Sequence, residues 1–547
     1  MPGLVADAAA RFGEAEALVD GGTRLSFRAL AEGALQVTRA VMATGLEPGE
    51  RIALWAPNSA RWALAALGVL GAGGVLVPLN TRFKGPEAAY VLRRSRARML
   101  LTVGGFLGTD YPAMLVGEDV PALERIVVLD EGAGEESVLT NAEEVPVFAW
   151  QEFLDAADGV VEGPCGVVGV PVTEAAAGAR WRSVEGGDLS DLIFTSGTTG
   201  SPKGAMATHA QSLRTFATWS AVVGLSEGDR YLVVNPFFHT FGYKAGILAC
   251  LMQGAAIVPL AVFDVDKVLE TVETERISVL PGPPTLYQSI LERTDRDARD
   301  LSSLRLAVTG AAVVPVELVR RMRAELSFST VLTAYGLTES TGVVTMCRQG
   351  DPPEVIASTS GRPIPDVRVR IADDTGQEVP SGEPGEVLVR GYTVTQGYVE
   401  DPEATAEAID AEGWLHTGDI GVVDDEGNLR ITDRKKDMFI VGGFNVYPAE
   451  VEGTLLRHPA VGQVAVVGVP DDRLGEVGRA FVVPRATVAE EDRAPLAGDL
   501  VAWAREQMAN YKVPRSVVVV ESLPTNASGK VLKVELRRTG GPFTEGR

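Results

Sequence analysis

The sequence predicts an α/β protein with a large N-terminal domain and a smaller α+β C-terminal domain. Its 547 residues exceed what one hydrophobic core usually organises, so at least two domains are expected. Between residues 190 and 340, short β-rich segments alternate with segments of helical periodicity, which indicates a largely parallel sheet. A loop rich in Gly and Thr follows the first of these segments, where such sheets bind ligands.

Six segments of this region are short and rich in the apolar residues that strands favour. They are residues 192–195, 231–235, 256–260, 278–280, 304–308 and 331–334. Residues 264–277 instead place Val265, Val268, Leu269 and Val272 at helical spacing. Upstream, the apolar stretch 63–79 contains four glycines and Pro78, so we expect a buried helix running into a strand and no membrane span.

The pattern changes after residue 367. Strand-like segments flank a turn-rich stretch within 367–390, which predicts a β-subdomain. Segments 464–469, 480–483 and 516–521 resemble strands and 501–507 a helix, whereas 155–188 is weakly patterned and predicts a loose surface excursion. We therefore predict an N-terminal domain over 1–433, a hinge at 434–436 and a C-terminal domain over 437–547.

Charge and cysteine content exclude several classes of protein. The net charge of −23, from 50 basic and 73 acidic residues, argues against nucleic-acid or anionic-membrane partners. Cys165, Cys250 and Cys347 lack metal-ligand spacing and fit idle thiols in a reducing compartment. The first twenty residues lack a charged n-region and an apolar h-region, so we expect no signal peptide and a cytoplasmic protein.

The loop at residues 195–204, TSGTTGSPKG, is the most informative stretch of the chain. It offers backbone N–H groups, hydroxyls and one lysine to a polyphosphate. The Walker pattern G-x4-G-K-[ST] is not met, because Pro202 replaces its second glycine and Gly204 its hydroxyl. The loop therefore predicts nucleotide binding of another kind.

Four further motifs follow in order. They are YGLTES at 335–340, WLHTGD at 414–419, DRKKDMFIVGGFN at 433–445 with YPAEVE at 447–452, and PTNASGK at 524–530. Together with the loop they resemble the adenylate-forming superfamily of acyl-CoA synthetases, peptide-synthetase adenylation domains and luciferases. The resemblance implies that superfamily's two-domain fold with a mobile C-terminal domain.

The resemblance also implies an AMP-forming acid–thiol ligase that uses ATP, Mg²⁺ and CoA. Its ATP- and AMP-binding residues would be Thr195, Ser196, Gly197, Thr198, Thr199, Gly200, Lys203, Gly310, Ala311, Ala312, Tyr335, Gly336, Thr338, Glu339, Asp419, Arg434 and Lys530. Lys530, His239, Lys203 and Arg434 would be catalytic, with Lys530 reaching the acid carboxylate and the α-phosphate.

Other residues of this set receive individual roles from the resemblance. Glu339 would hold Mg²⁺, Tyr335 would stack on adenine and Asp419 would bind the ribose. Taken alone, Glu339 could instead meet a helix dipole and Asp419 could be a turn residue. On position alone Lys530 would be a solvated lysine, and His239 a partly buried structural histidine, as we expect for His209.

Two implied sites belong to thioester formation and to the acid. Lys436 would act at the hinge, and the loop of Gly442, Gly443, Phe444 and Asn445 would meet the pantetheine arm of CoA. The acyl pocket would be lined by Phe238, His239, Tyr243, Gly246, Gly310, Ala334, Gly336 and Gly342, whose small residues suit a bulky acid. Lys244 could touch the substrate, although a lysine that snorkels to solvent is the simpler interpretation.

Residues 233–251 and 263–291 resemble an actinobacterial synthetase branch of steroid breakdown. That branch activates a bicyclic indane-type propanoic acid, and this acid is the expected substrate. The segment 237–240 lacks the Asp that would hold an amino acid's amine. Medium-chain fatty acids and aryl propanoates are alternatives, as are an acyl-AMP ligase that loads a carrier protein, a non-catalytic nucleotide-binding relative and luciferase-like oxidation as a side activity. A homodimer is also possible.

Overall fold

The structure is a computed structural model. It describes residues 1–130, 145–159, 162–163, 166–167, 170–195, 202–310, 314–373, 375–434, 437–441, 444–471, 474–508, 510–525 and 531–539.

The helices and strands are given in chain order. The α-helices are α1 Pro2–Phe12, α2 Phe27–Ala43, α3 Ala60–Gly71, α4 Gly85–Ser95, α5 Trp150–Asp155, α6 Glu174–Ser183, α7 His209–Val223, α8 Ala249–Gln253, α9 Val265–Glu275, α10 Pro284–Leu291, α11 Val316–Glu325, α12 Pro353–Ser358, α13 Pro402–Ala408, α14 Pro448–Leu455, α15 Glu490–Gln507 and α16 Lys533–Thr539. The strands are β1 Glu16–Asp20, β2 Thr23–Ser26, β3 Arg51–Trp55, β4 Val75–Pro78, β5 Met99–Thr102, β6 Arg125–Val128, β7 Val147–Ala149, β8 Glu162–Gly163, β9 Gly166–Val167, β10 Leu189–Thr195, β11 Lys203–Thr208, β12 Arg230–Val233, β13 Ala256–Pro259, β14 Leu306–Thr309, β15 Thr330–Tyr335, β16 Thr345–Met346, β17 Arg362–Pro363, β18 Val367–Ala372, β19 Gly385–Gly391, β20 Leu415–Val423, β21 Leu429–Arg434, β22 Phe439–Val441, β23 Phe444–Val446, β24 Val461–Asp471, β25 Gly475–Pro484 and β26 Ser516–Val519. A π-helix spans Phe241–Leu248.

Two sheets with helices packed on them form the N-terminal body, so the predicted α/β class is confirmed. One has the order β11-β10-β4-β3-β5-β6-β7, and all its pairs except β10–β11 are parallel. The other runs β12-β13-β1-β2 and is joined to β14-β15-β16-β17 through Val279, which bridges to Tyr231 and Leu306. The strand predicted at 278–280 is thus a single bridging residue.

Helix α7 lies between the first sheet and the π-helix and begins at a well-defined cap. Thr208 accepts from the backbone of Gln211, and the Gln211 side chain accepts from the backbone of Thr208. The helix ends at Gly224, whose φ of 73° is in the left-handed region that glycine adopts without strain. These two caps set where α7 begins and ends.

The β-subdomain and the C-terminal unit follow as predicted. Strands β18-β19-β20-β21 form an antiparallel meander, and β23-β22-β25-β24 with β26 form a separate sheet. Most buried apolar residues up to Leu429 belong to one main cluster, and Ala372, Leu388 and Trp414 form a small cluster in the β-subdomain. The buried apolar residues from Phe439 onward form clusters of their own. The boundary and hinge at 433–437 lie between these cores and stay predictions.

Two expectations about other segments have different outcomes. Residues 63–79 form the end of α3 and all of β4, as predicted. Residues 155–188 are not wholly loose, because α6 packs Ala177 into the interior and the Trp181 indole donates to Thr38 at 2.8 Å. Among the described residues, no helix combines the length and apolar character needed to cross a lipid bilayer.

Candidate active site

The site lies beyond the carboxyl ends of two neighbouring parallel strands. β14 and β15 pair in parallel, and Gly310 and Gly336 follow their ends. A Cβ on Gly310 would lie 3.0 Å from the carbonyl oxygen of Ala334, so a larger residue would crowd the next strand. Ligands bind at this edge of parallel sheets, so the predicted adenine-binding residues Gly310 and Tyr335 lie near a ligand-binding edge.

Tyr335 and Asp419 meet across this edge. The Tyr335 hydroxyl donates to Asp419 Oδ2 at 2.6 Å, and the Asp419 carboxylate is only 3 % exposed. Asp419 lies on β20, directly opposite Arg434 on β21. The predicted base-stacking and ribose-binding residues therefore touch each other, although the motifs that carry them are far apart in the chain.

The predicted phosphate loop connects two antiparallel strands. Thr195 ends β10 and lies opposite Lys203, which begins β11. A Walker loop instead leads from a strand into a helix, so the hairpin agrees with the absence of the Walker residues at positions 202 and 204. The strand pairing places Lys203 at the open end of the hairpin, next to the predicted phosphate loop.

Glu339, Tyr398 and Lys203 form a connected cluster beside this hairpin. Both the Tyr398 hydroxyl, at 2.9 Å, and the Thr195 hydroxyl, at 3.4 Å, donate to Glu339 Oε1. Lys203 Nζ lies 5.2 Å from the centre of the Tyr398 ring, within range of a cation–π interaction. Burial, reinforced by Glu339, raises the pKa of Tyr398, so the phenol stays a hydrogen-bond donor at neutral pH.

The sequence analysis did not single out Tyr398. Its position depends on long-range pairing, because the backbone N–H of Val399 donates to Gly204 and that of Gln396 to Met206.

The cluster of Glu339, Tyr398 and Lys203 also bears on the predicted Mg²⁺ site. One carboxylate next to a hydroxyl fits Mg²⁺, which is usually held by one or two carboxylates together with phosphate oxygens.

Most of the remaining predicted ATP, hinge and tunnel residues lie outside the described residues. Thr338 lies in a 3₁₀ turn with Glu339 and keeps partial exposure. The residues outside the described ranges are Ser196, Gly197, Thr198, Thr199, Gly200, Ala311, Ala312, Lys436, Gly442, Gly443 and Lys530. Arg434 and Phe444 are described in backbone only, on β21 and β23.

His239 lies two residues before the π-helix Phe241–Leu248 and keeps exposed surface. Desolvation by the surrounding protein lowers the pKa of the imidazole and favours the neutral ring. Nδ1 accepts from the backbone N–H of Phe241 at 3.2 Å, so the neutral ring carries its proton on Nε2. Nε2 can therefore donate one hydrogen bond to a ligand.

The predicted acyl pocket is only partly accessible. Phe238, Gly310, Ala334, Gly336 and Gly342 keep exposed surface.

Tyr243 and Gly246, by contrast, are wholly buried and do not line an accessible surface. The Tyr243 hydroxyl donates to Met1 Sδ at 3.1 Å, and a Cβ on Gly246 would lie 2.8 Å from Val233 Cγ1. Both residues pack in the core of this structure, and their role in the acyl pocket stays a prediction.

Lys244 does not snorkel to solvent. Its Nζ lies 2.9 Å from Asp191 Oδ1, and both side chains are 1 % exposed. Ser190 donates to the other carboxylate oxygen at 2.6 Å. A buried lysine needs such a partner, and the apolar stretch around residue 244 gave no indication of it.

His209, predicted to be structural, is buried at the start of α7. Its Nδ1 lies 3.1 Å from the Met1 amine. Burial, and then the charges of that amine and Lys244, lower its pKa to about 3.

Two family models match the chain. The AMP-binding enzyme model matches residues 5–399, and the AMP-binding enzyme C-terminal domain model matches residues 450–530. Both relate the chain to enzymes that bind AMP.

Curated relatives and a solved structure agree with these matches. A protein of Rhodococcus jostii (strain RHA1) named 3-[(3aS,4S,7aS)-7a-methyl-1,5-dioxo-octahydro-1H-inden-4-yl]propanoyl:CoA ligase is 50 % identical, covering 98 % of each chain. A protein of the same name from Mycobacterium tuberculosis (strain ATCC 25618 / H37Rv) is 48 % identical, covering 96 % of each. The anthranilate CoA ligase AuaEII in complex with anthranoyl-AMP superposes with a TM-score of 0.84 at 29 % identity, covering 98 % of this chain and 96 % of that one. The predicted nucleotide-binding residues meet beyond the ends of β14 and β15, and the family models and relatives match most of the sequence. The chain therefore belongs to the AMP-binding enzyme family.

Proposed function

We propose that this chain is an ATP-dependent acyl-CoA ligase. The acid carboxylate attacks the α-phosphate of ATP to give an acyl-adenylate and diphosphate, and the CoA thiol then displaces AMP. The contact of Tyr335 with Asp419, at the edge where the Glu339 cluster also lies, carries the nucleotide part of the proposal.

The first step brings two anions together and needs compensating charge. Two unit charges at about 4 Å repel by about 1 kcal/mol in water and by several times more in a drier site. Lys203 supplies a cation beside the loop, and Nε2 of His239 offers a hydrogen-bond donor. Mg²⁺ at Glu339 would neutralise phosphate charge, and Lys530 would meet the reacting carboxylate.

The acid is proposed from the relatives. Two proteins that share about half of their residues with this chain are named for a methyl-dioxo-octahydroindenyl propanoyl thioester. The small residues at Gly310, Ala334, Gly336 and Gly342 support a bulky acid of this type.

A panel of acids tests the proposal. AMP and thioester would be measured with Mg·ATP and CoA for the dioxo-indane propanoate, octanoate, palmitate, 4-coumarate and an amino acid. We expect thioester from the bicyclic acid with the highest kcat/KM. Acyl-AMP without thioester would indicate a carrier-dependent ligase, and a preference for octanoate or 4-coumarate would overturn the proposed acid.

A further inference from the structure

The buried face of α7 carries hydroxyl groups that make no hydrogen bond in the described part of the chain. Ser212 Oγ and Thr215 Oγ1 are fully buried without a partner, and so is Thr240 Oγ1 at the entrance of the π-helix. We call Ser212, Thr215 and Thr240 the hydroxyl row. A buried hydroxyl left unpaired costs about 1–3 kcal/mol, so three of them together call for an explanation.

Neighbouring hydroxyls of the same helix show that α7 itself could have satisfied them. Ser220, equally buried, donates to the carbonyl of Phe216 at 2.7 Å, and Thr218 donates to that of Arg214 at 3.0 Å. Such bonds to the carbonyl four residues earlier are usual for Ser and Thr in helices. Ser212 and Thr215 do not make them, and their hydroxyls remain available to another acceptor.

Thr240 and helix α7 reach the predicted acid pocket at Gly342. A Cβ on Gly342 would lie 2.6 Å from Thr240 Cγ2 and 3.5 Å from the ring of Phe216, which directly follows Thr215 on α7. Gly342 in turn touches Gly336, where a Cβ would lie 2.3 Å from the Gly342 carbonyl oxygen. Gly336 directly follows Tyr335, so Thr240 and Phe216 are close to the nucleotide side.

The helix that follows Thr240 is itself unusual. Phe241–Leu248 is a π-helix, a form that is rare and frequent at functional sites. It packs against α7, and Gly242 permits a close turn, since a Cβ there would lie 2.0 Å from the Pro236 carbonyl oxygen. The π-helix thus brings His239 and Thr240 to the same entrance as the buried face of α7.

We infer that the hydroxyl row donates hydrogen bonds to ring ketones of the acid and selects for an acid that carries them. This inference rests on the proposed function. A ketone oxygen only accepts hydrogen bonds, and hydroxyls are matching donors. An acid without ketones leaves the donors buried and unpaired, which is how polar pockets reject analogues that lack a polar group. Phe216 and Gly342 supply apolar contact for the rings.

The test compares two acids of the same shape. One is the dioxo-indane propanoate, and the other is the same bicyclic propanoate without its two ring ketones. For each we would measure kcat/KM by AMP release with Mg·ATP and CoA. The variants are Ser212→Ala, Thr215→Val and Thr240→Val, with Ser220→Ala as the matched control because its hydroxyl already has a partner on the helix.

Each hydroxyl-row variant is expected to lower kcat/KM for the diketone about tenfold and to change kcat/KM for the ketone-free acid less than twofold. Thr215→Ser keeps the hydroxyl and should retain the discrimination. Ser220→Ala should leave the ratio between the two acids unchanged.

Three results would overturn the inference. The first is an equal change in kcat/KM for both acids, which would mean that the hydroxyls bind ordered water alone. The others are a Ser220→Ala control that behaves like the hydroxyl-row variants, and a Thr215→Ser variant that loses discrimination as Thr215→Val does. Failure of the unaltered enzyme to use the diketone would overturn the proposed function as well, so the two failures are distinguishable.

Discussion

On the nucleotide side of the site the polar side chains hydrogen-bond to one another, whereas on the acid side buried hydroxyls have no partner among the described residues. The Tyr335 hydroxyl donates a hydrogen bond to Asp419, and the Tyr398 hydroxyl donates one to Glu339. The hydroxyls of Ser212 and Thr215, on the buried face of α7, make no hydrogen bond within the described part of the chain.

This difference indicates how the two ligands are handled. ATP is the same in every turnover, so groups fixed in advance stabilise its reaction without reorganisation. Unpaired buried donors lower stability, and natural proteins accept such costs where a ligand repays them. We therefore expect the nucleotide side to be preorganised and the acid side to select among acids.

The largest expected effect is that of replacing Lys530, which we expect to act on both the nucleotide and the acid. We expect Lys530 to reach both the acid carboxylate and the α-phosphate, so Lys530→Ala should lower acyl-AMP formation by about 10³-fold. Conversion of supplied acyl-AMP to thioester should be nearly unchanged, as measured by single-turnover assays. Gly443→Leu is expected to do the reverse, and loss of both half-reactions in Lys530→Ala would contradict a two-pose C-terminal domain.

Asp419 tests preorganisation on the nucleotide side. Because its carboxylate can accept both ribose hydroxyls, Asp419→Asn should raise the KM for ATP about 100-fold while the KM for the acid changes little. Asp425→Asn is the control, since that exposed carboxylate lies in the turn that follows β20. A parallel rise in both KM values would argue for general damage and against a ribose contact.

Tyr398 should have a smaller effect through Glu339. Tyr398→Phe removes the hydroxyl that donates to Glu339 and keeps the ring beside Lys203. We expect the Mg²⁺ concentration for half-maximal activity to rise about fivefold, which corresponds to about 1 kcal/mol. Tyr392→Phe serves as the control, because Tyr392 contacts Thr218 and Arg214 instead. An unchanged Mg²⁺ concentration for half-maximal activity would mean that the Tyr398 hydroxyl does not contribute to Mg²⁺ binding at Glu339.

The sequence predicted the strands and motif positions better than it predicted partners. Asp419 and Tyr335 were assigned to one ligand although 84 residues separate them, and the structure brings them together. Tyr398 was missed and Lys244 misread because their partners, Glu339 and Asp191, come from other elements.

Helix α6 was missed for a different reason. Ala177 is its only buried residue among the ten, so it shows no apolar periodicity. Local patterns thus indicate elements, while the pairing of side chains across elements needs the fold.

The last prediction concerns folding stability, which is a property separate from activity, and it tests helix α7. His209 has a pKa of about 3 in place of its usual 6.5, because burial, the Met1 amine and Lys244 all disfavour its charged form. As pH falls below about 6.5 the unfolded chain binds the proton first, so folding loses up to about 1.4 kcal/mol per pH unit until about pH 3. Above pH 7 this group contributes no slope.

Urea unfolding at pH 7, 6, 5 and 4 would measure that slope. His209→Gln should flatten the dependence of the free energy of unfolding on pH between 6 and 4, whatever its effect at pH 7. His416→Gln is the matched control, because that imidazole is partly exposed beside Glu386 near the nucleotide side. If both variants keep the pH slope of the unaltered protein, the loss of stability in acid arises from carboxylates. The lowered pKa of His209 would then make no contribution to it.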